Sequence, residues 1–253
     1  MPERFRVFWD AKLGSPAKEF EDAFWPGTPG TGSGVERRYA VADGATESSY
    51  SRHWAELLVE AYGGGAVSPG ALIRALPDLQ ETWRSSHENT ALPWFAAEKV
   101  AMGAFAALLG VSITGEGTDR KLSALAVGDS CLVVVGTDEG RSRWPMKSRW
   151  PIKRSGDFGL NPALLSSAAA PDSQRPLIRR RHVELAPRDT LFLMTDAIAA
   201  WFLREAEEGG RPWSTLLDVA PGGDDGFREW ARDLRTTGAM RDDDVTVAIV
   251  DPE

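Results

Sequence analysis

The feature that most constrains the fold of this chain is an aspartate at the margin of an apolar strand, repeated along its length. The clearest case is Tyr39-Ala40-Val41-Ala42-Asp43-Gly44-Ala45-Thr46-Glu47-Ser48. Val35, Arg37, Tyr39 and Val41 alternate with Glu36, Arg38, Ala40 and Ala42, the period of two that a sheet requires. The strand ends at Asp43-Gly44, where the backbone can turn sharply, and a polar run leads to a helix. Residues 190–195 repeat the arrangement, with Asp196 at the strand tip and a helix over 197–206. Asp22 stands at the start of a short strand over 21–25, and Asp242-Asp243-Asp244 precedes a last strand over 245–250. Gly128-Asp129 adds a further margin. Three consecutive acids beside a strand repel one another unless they are exposed or bridged by a cation.

The composition narrows what such acids can bind. There is one cysteine, Cys131, and the three histidines His53, His87 and His182 are not at ligand spacing. An oxygen-only donor set points to hard cations, Mg²⁺ or Mn²⁺. Cys131 excludes an internal disulfide and reads as a small core residue. The net charge of -8 argues against nucleic acid or acidic membranes as partners. No segment approaches the roughly 20 apolar residues of a membrane span. No apolar run follows Met1-Pro2-Glu3-Arg4, so a cytoplasmic protein is expected. The glycine-rich phosphate loops of nucleotide-binding proteins and the Gly-x-Ser-x-Gly elbow are all missing from the sequence.

The rest of the chain supplies a strand over 5–9 and a helix over 51–62. A second helix opens at Ser68-Pro69, where Pro77 is expected to kink or divide it. An Ala/Gly-rich segment over 94–109 reads as a third helix. Strands follow over 111–114, 122–127 and 131–135, the last two expected to form a buried hairpin through Gly128-Asp129-Ser130. Ser142-Arg143-Trp144-Pro145-Met146-Lys147 is repeated directly as Ser148-Arg149-Trp150-Pro151-Ile152-Lys153. Six basic residues from Arg141 to Arg154 suit an anionic or peptide ligand, and 141–167 reads as a flap or loop insertion. A strand over 177–185 and helices over 213–219 and 227–234 complete the pattern.

Taken in order, Glu-Asp-Ala-Phe (21–24), Val-Ala-Asp-Gly (41–44), Ala-Val-Gly-Asp-Ser (126–130), Leu-Phe-Leu-Met-Thr-Asp (191–196) and Asp-Asp-x-Thr (243–246) resemble the metal-dependent protein phosphatases of type 2C. The likeness spans nearly the whole chain and is greatest to a divergent bacterial branch carrying Asp-Gly-Ala-Thr-Glu-Ser. It implies an α+β fold, a four-layer α-β-β-α sandwich of two antiparallel sheets flanked by helix pairs, as a single domain over 1–253. It implies two Mn²⁺ or Mg²⁺ ions and a third, weaker metal. Asp43 would bridge both metals with the Gly44 carbonyl on one, and Asp196 and Asp243 would hold one metal. Asp22 would serve the centre directly or through waters, and Asp129 would help bind the third. Asp43, Asp196 and Asp243 are thus the expected catalytic set. Two cations lower the pKa of a bridging water and neutralise charge on the phosphoryl oxygens.

Departures accompany the resemblance, among them Ala45 where many members carry a His. The family's phosphate-gripping Arg is matched by Ala17, with Lys18 adjacent as a substitute, and Arg4 and Arg6 as further candidates. Ala197 and Asp244 replace a Gly and an Asn of the family's motifs. The reading is a cytoplasmic serine/threonine protein phosphatase, with a phosphorylated protein as substrate and a Ser/Thr kinase or its targets as partner. The alternatives are a catalytically weak binding or regulatory module on the same fold, and a phosphatase for small phosphoesters.

Overall fold

A computed structural model describes residues 4–27, 36–45, 50–88, 102–115, 117–136, 146–159 and 161–251. Among the described residues, eleven strands form two antiparallel sheets. The first runs β1 (Arg4–Asp10), β11 (Val245–Asp251), β10 (Thr190–Met194), β6 (Cys131–Val135) and β7 (Met146–Trp150). The second runs β2 (Ala23–Trp25), β3 (Arg37–Gly44), β4 (Phe105–Thr114), β5 (Lys121–Val127) and β9 (Arg179–Glu184), with β8 (Leu165–Ser166) against β4.

Alternation along the strands decides the layers. Tyr39 and Val41 face inward with Leu109, Val111 and Leu122, and meet Leu132, Val134, Leu191, Leu193 and Val250 of the other sheet in one buried cluster. Ala40 and Ala42 point the other way, under α1 (Ser51–Gly63) and α2 (Pro69–Glu88). Phe192, Met194 and Ile249 face outward from the first sheet. They pack beneath α4 (Asp196–Glu207), α5 (Pro212–Val219) and α6 (Gly223–Thr236), while the short α3 (Pro171–Gln174) packs near the end of α2. The result is the expected four-layer α-β-β-α sandwich. The Arg235 guanidinium fastens α6 to β1 from a fully buried position. It donates to Asp10 Oδ2 at 2.7 Å and to the carbonyls of Ala11 and Asp10.

Several local expectations are corrected. Residues 105–109 belong to strand β4, and the 94–101 part of the expected helix lies outside the described residues. Strand β4 pairs with β3 on one side and β5 on the other, so its small residues fill a sheet centre. β5 and β6 do not form a hairpin: they lie in different sheets, and Gly128-Asp129-Ser130 carries the chain across. Helix α2 continues through Pro77 without a break, and Ser68 Oγ caps its first turn. His53 and His87, scattered in sequence, meet at 3.1 Å between ring nitrogens. The junction of the two Arg/Trp copies is not a free loop. The end of the first copy, Met146-Lys147, and the start of the second, Ser148-Arg149-Trp150, form the edge strand β7, with Trp150 in the inter-sheet cluster and Lys147 paired to Asp189 at 2.6 Å; residues 142–145 lie outside the described residues.

Candidate metal centre

Strand polarity collects the acids. β3 ends, β5 ends, β10 ends, β2 begins and β11 begins at the same end of the sandwich, as the pairings Ala23↔Ala42, Met194↔Cys131, Leu108↔Val127 and Met194↔Val247 require. Asp43 shares the inward face of β3 with Tyr39 and Val41. Asp129 sits on the crossing between sheets and Asp196 opens α4. Carboxylate oxygens of Asp43, Asp129 and Asp196 lie within 4.8 Å of one another.

Asp22 lies deeper. Its Oδ2 accepts from Thr195 Oγ1 at 3.0 Å and from Thr246 Oγ1 at 2.8 Å, while Thr195 Oγ1 itself accepts from the Thr246 backbone N–H. Its Oδ1 is buried with no hydrogen-bond partner among the described residues. Asp244 is also buried, receiving the backbone N–H groups of Lys12 at 2.9 Å and Glu21 at 2.7 Å. Asp243 stays at the rim, where its Oδ1 accepts the Asp244 N–H. Asp196 and Asp243, expected to hold one metal, both face the Arg241 guanidinium, and the charge of Asp243 acts on Asp43 and Asp129. Gly44 is packed so tightly behind Asp43 that a Cβ there would sit 2.7 Å from the Glu21 carbonyl oxygen.

Electrostatics follow from this crowding. Burial, then the charges of Asp22, Asp129, Asp243 and Asp244, hold the Asp43 carboxyl well above the usual carboxylate range. Burial and the neighbouring Asp244 do the same to Asp22, against the opposing hydrogen bonds of Thr246 and Thr195. Burial also raises Asp129 and Asp244. One guanidinium reaches the mouth: Arg241 Nη2 donates to Asp196 Oδ2 and lies 3.8 Å from Asp243 Oδ2. Its root is fixed, because the buried Met240 precedes it and the Asp243 N–H returns to its carbonyl.

Lys18 is exposed on the 3-10 turn Ala17–Glu19, and Arg6 is engaged with Asp251 at 2.8 Å, toward the other end of β1. Thr195, Thr246 and Arg241 were missed by the sequence reading. The two threonines lie inside the quoted motifs; Arg241 directly precedes the Asp242-Asp243-Asp244 run, but its bond to Asp196 spans 45 residues. Cys131 is buried in the core, which pushes its thiol up to about 12 and leaves it inert.

No protein-family profile matches the sequence, and no curated protein is significantly similar to it. Solved structures do match. The catalytic domain of the serine/threonine phosphatase PstP, in complex with two manganese ions, is 15% identical, with a TM-score of 0.56 over 98% of this chain and 97% of that one. The serine/threonine phosphatase of S. agalactiae is 15% identical, with a TM-score of 0.57 over all of both chains. The PPM Ser-Thr phosphatase MsPP from Mycobacterium smegmatis, in complex with cacodylate, is 17% identical, with a TM-score of 0.53 over 99% and 98%. The fold is therefore that of the metal-dependent serine/threonine phosphatases. The likeness extends over the whole length of those chains.

Proposed function

We propose that this protein is a divalent-cation-dependent phosphatase acting on phosphoserine or phosphothreonine in proteins. The observation that carries the reading is the convergence of Asp43, Asp129 and Asp196 at the open end of a sandwich with the phosphatase fold. The donor set fits a hard cation: every group is a carboxylate, the charges repel, and Asp22 Oδ1 is buried without a partner among the described residues. Asp43, Asp129 and Asp196 would hold two Mn²⁺ or Mg²⁺ ions and a weaker third, with Asp22 and Asp243 beside them and the Gly44 carbonyl within the same turn. Such ions supply a hydroxide nucleophile at neutral pH and neutralise phosphoryl charge. The chain's own contribution is positional. Thr195 and Thr246 fix Asp22 Oδ2, Glu21 and Lys12 fix Asp244, and Arg241 offers guanidinium N–H donors to phosphate oxygens at the mouth.

We read 1–253 as one domain and the cytoplasm as its compartment; no helix among the described residues is long and apolar enough to cross a membrane. The phosphorylated partner would be a Ser/Thr kinase or one of its targets. A second reading, a partner-binding protein on the same fold, is favoured by one observation: Arg241 already neutralises Asp196 and Asp243. Hydrolysis of a phosphothreonine peptide and an aryl phosphate, with and without Mn²⁺, separates the two. Turnover that requires the cation is expected, with Arg241→Ala raising KM about tenfold or more through lost charge-assisted hydrogen bonds. Cation binding without turnover of either substrate would favour the second reading.

A further inference from the structure

A cavity of about 420 Å³ beside the carboxylate cluster has a composition that hydrolysis itself does not use. Asp22 lines it, and the Asp22 carboxylate is bonded to Thr195, which precedes Asp196 of the candidate centre. Its lining includes the aromatic residues Trp9, Phe20, Phe24 and Trp25, and one side is the α1 stripe Arg52, Glu56 and Glu60. Trp25 is set in place by α1, since its ring lies so close to Gly63 that a Cβ there would be 2.2 Å away. Pro26, Arg52 and Glu60 are exposed, so the cavity opens to solvent.

The charges do not balance. Arg52 Nε donates to Glu56 Oε1 at 2.9 Å, and these two cancel. Glu60, one turn further along the same stripe, makes no ion pair among the described residues. Aromatic faces carry negative potential and attract a cation by about 0.5–2 kcal/mol, more when it is also desolvated. The same chemistry is realised within the molecule, where the Arg228 guanidinium carbon stands 5.0 Å from the Trp9 ring centroid. An aromatic wall edged by an uncompensated carboxylate selects a long, flexible cation with an apolar stem.

We propose that this cavity takes a Lys or Arg side chain of the phosphoprotein substrate, one that flanks the phosphorylated residue. The proposal rests on the phosphatase reading. A peptide whose phosphate reaches the carboxylate cluster advances about 3.3–3.6 Å per residue, and Asp22 places the cavity beside that cluster, so a side chain near the phosphate in sequence is the one offered to the aromatic wall. Neither Lys18 nor the Arg/Trp repeat is needed for this preference.

Aryl phosphate turnover with Mn²⁺ is measured first, since it depends on the centre and not on the cavity. Phosphothreonine peptides differing only in Arg, Ala or Glu at the three positions on each side are then compared. At one or more positions the Arg peptide should exceed the Glu peptide in kcat/KM by about tenfold or more. Glu60→Lys should cancel or reverse that ratio while leaving aryl phosphate turnover unchanged, and Glu60→Gln should fall between. Glu60 is exposed near the end of α1, where Lys suits the helix dipole, so the variant should fold. Equal turnover of all peptides by the wild type overturns the proposal, as does an equal effect of Glu60→Lys on peptides and aryl phosphate. If nothing is hydrolysed, the phosphatase reading fails by itself. The cavity is then judged by fluorescence anisotropy of the same labelled peptides, where the order Arg, Ala, Glu supports it and equal binding refutes it.

Discussion

Asp196→Ala is expected to abolish cation-dependent hydrolysis of an aryl phosphate while leaving the protein folded. Asp196 is the first residue of α4 and lies at the mouth, so its removal opens no cavity in the core. The helix loses an acid from its first turn, a cost of about 0.3–1 kcal/mol, and the repulsion with Asp43 and Asp129 is relieved at the same time. The chemical loss is much larger. If the convergent carboxylates hold the cations that generate the nucleophile, deleting one removes several kcal/mol of transition-state stabilisation, a fall of about 10³-fold or more in kcat. Lys18→Ala should change the same assay by less than about threefold, because Lys18 is exposed and a point-charge phosphate grip affects binding more than nucleophile generation. Steady-state kinetics with a Mn²⁺ titration, beside far-UV circular dichroism, checks all three proteins. Wild-type rates from a folded Asp196→Ala would remove this cluster from the chemistry.

The sites were legible in sequence where the signal is local. Asp43 and Asp196 each stand at the end of an apolar strand, where the polar break and the helix that follows mark the tip in the sequence itself. What failed needed information from across the fold. The Ala/Gly-rich stretch before Val111 has helical propensity, yet Ala106 and Gly110 lie in a strand paired on both sides, on the face toward α1, where Tyr62 rests against Gly110, and Ala107 faces the other way against Gly128. The run through Gly128 looks the same whether the chain turns back on its own sheet or crosses to the other, and only the partners of β5 and β6 distinguish these. Gly128 itself has a φ of 92°, which suits a crossing as well as a hairpin. Arg241 and Asp196 are 45 residues apart, and Arg235 and Asp10 are 225 apart, so neither pairing leaves a periodic trace.

Divalent cations should stabilise the protein strongly near neutral pH, and the increment should shrink on acidification. Asp22, Asp43, Asp129 and Asp244 all have carboxyls raised above the value of about 3.9 expected in the unfolded chain. A raised carboxyl binds its proton more tightly in the native state than in the unfolded one. By linkage, these groups make the cation-free protein less stable as pH climbs from about 4 through their raised native values. Their unfavourable contribution is therefore greatest at neutral pH, where a bound cation offsets it. A ligand at 100 times its Kd adds about 2.7 kcal/mol per site, so two occupied sites would add roughly 5 kcal/mol. Protons compete with the cation for the same oxygens, which removes the increment at low pH. Asp43→Asn separates this from general acid denaturation. In a chelator at pH 7 it should melt higher than the wild type, because the most crowded carboxylate is gone, and it should lose most of the Mn²⁺ increment. The two chelated proteins should then converge on acidification, as Asp43 takes up its proton. The measurement is Tm against pH for both proteins with chelator and with Mn²⁺. A wild-type Tm indifferent to Mn²⁺ at neutral pH, or an Asp43→Asn protein that keeps the full increment, would mean that the acids at this end of the sandwich do not share a cation.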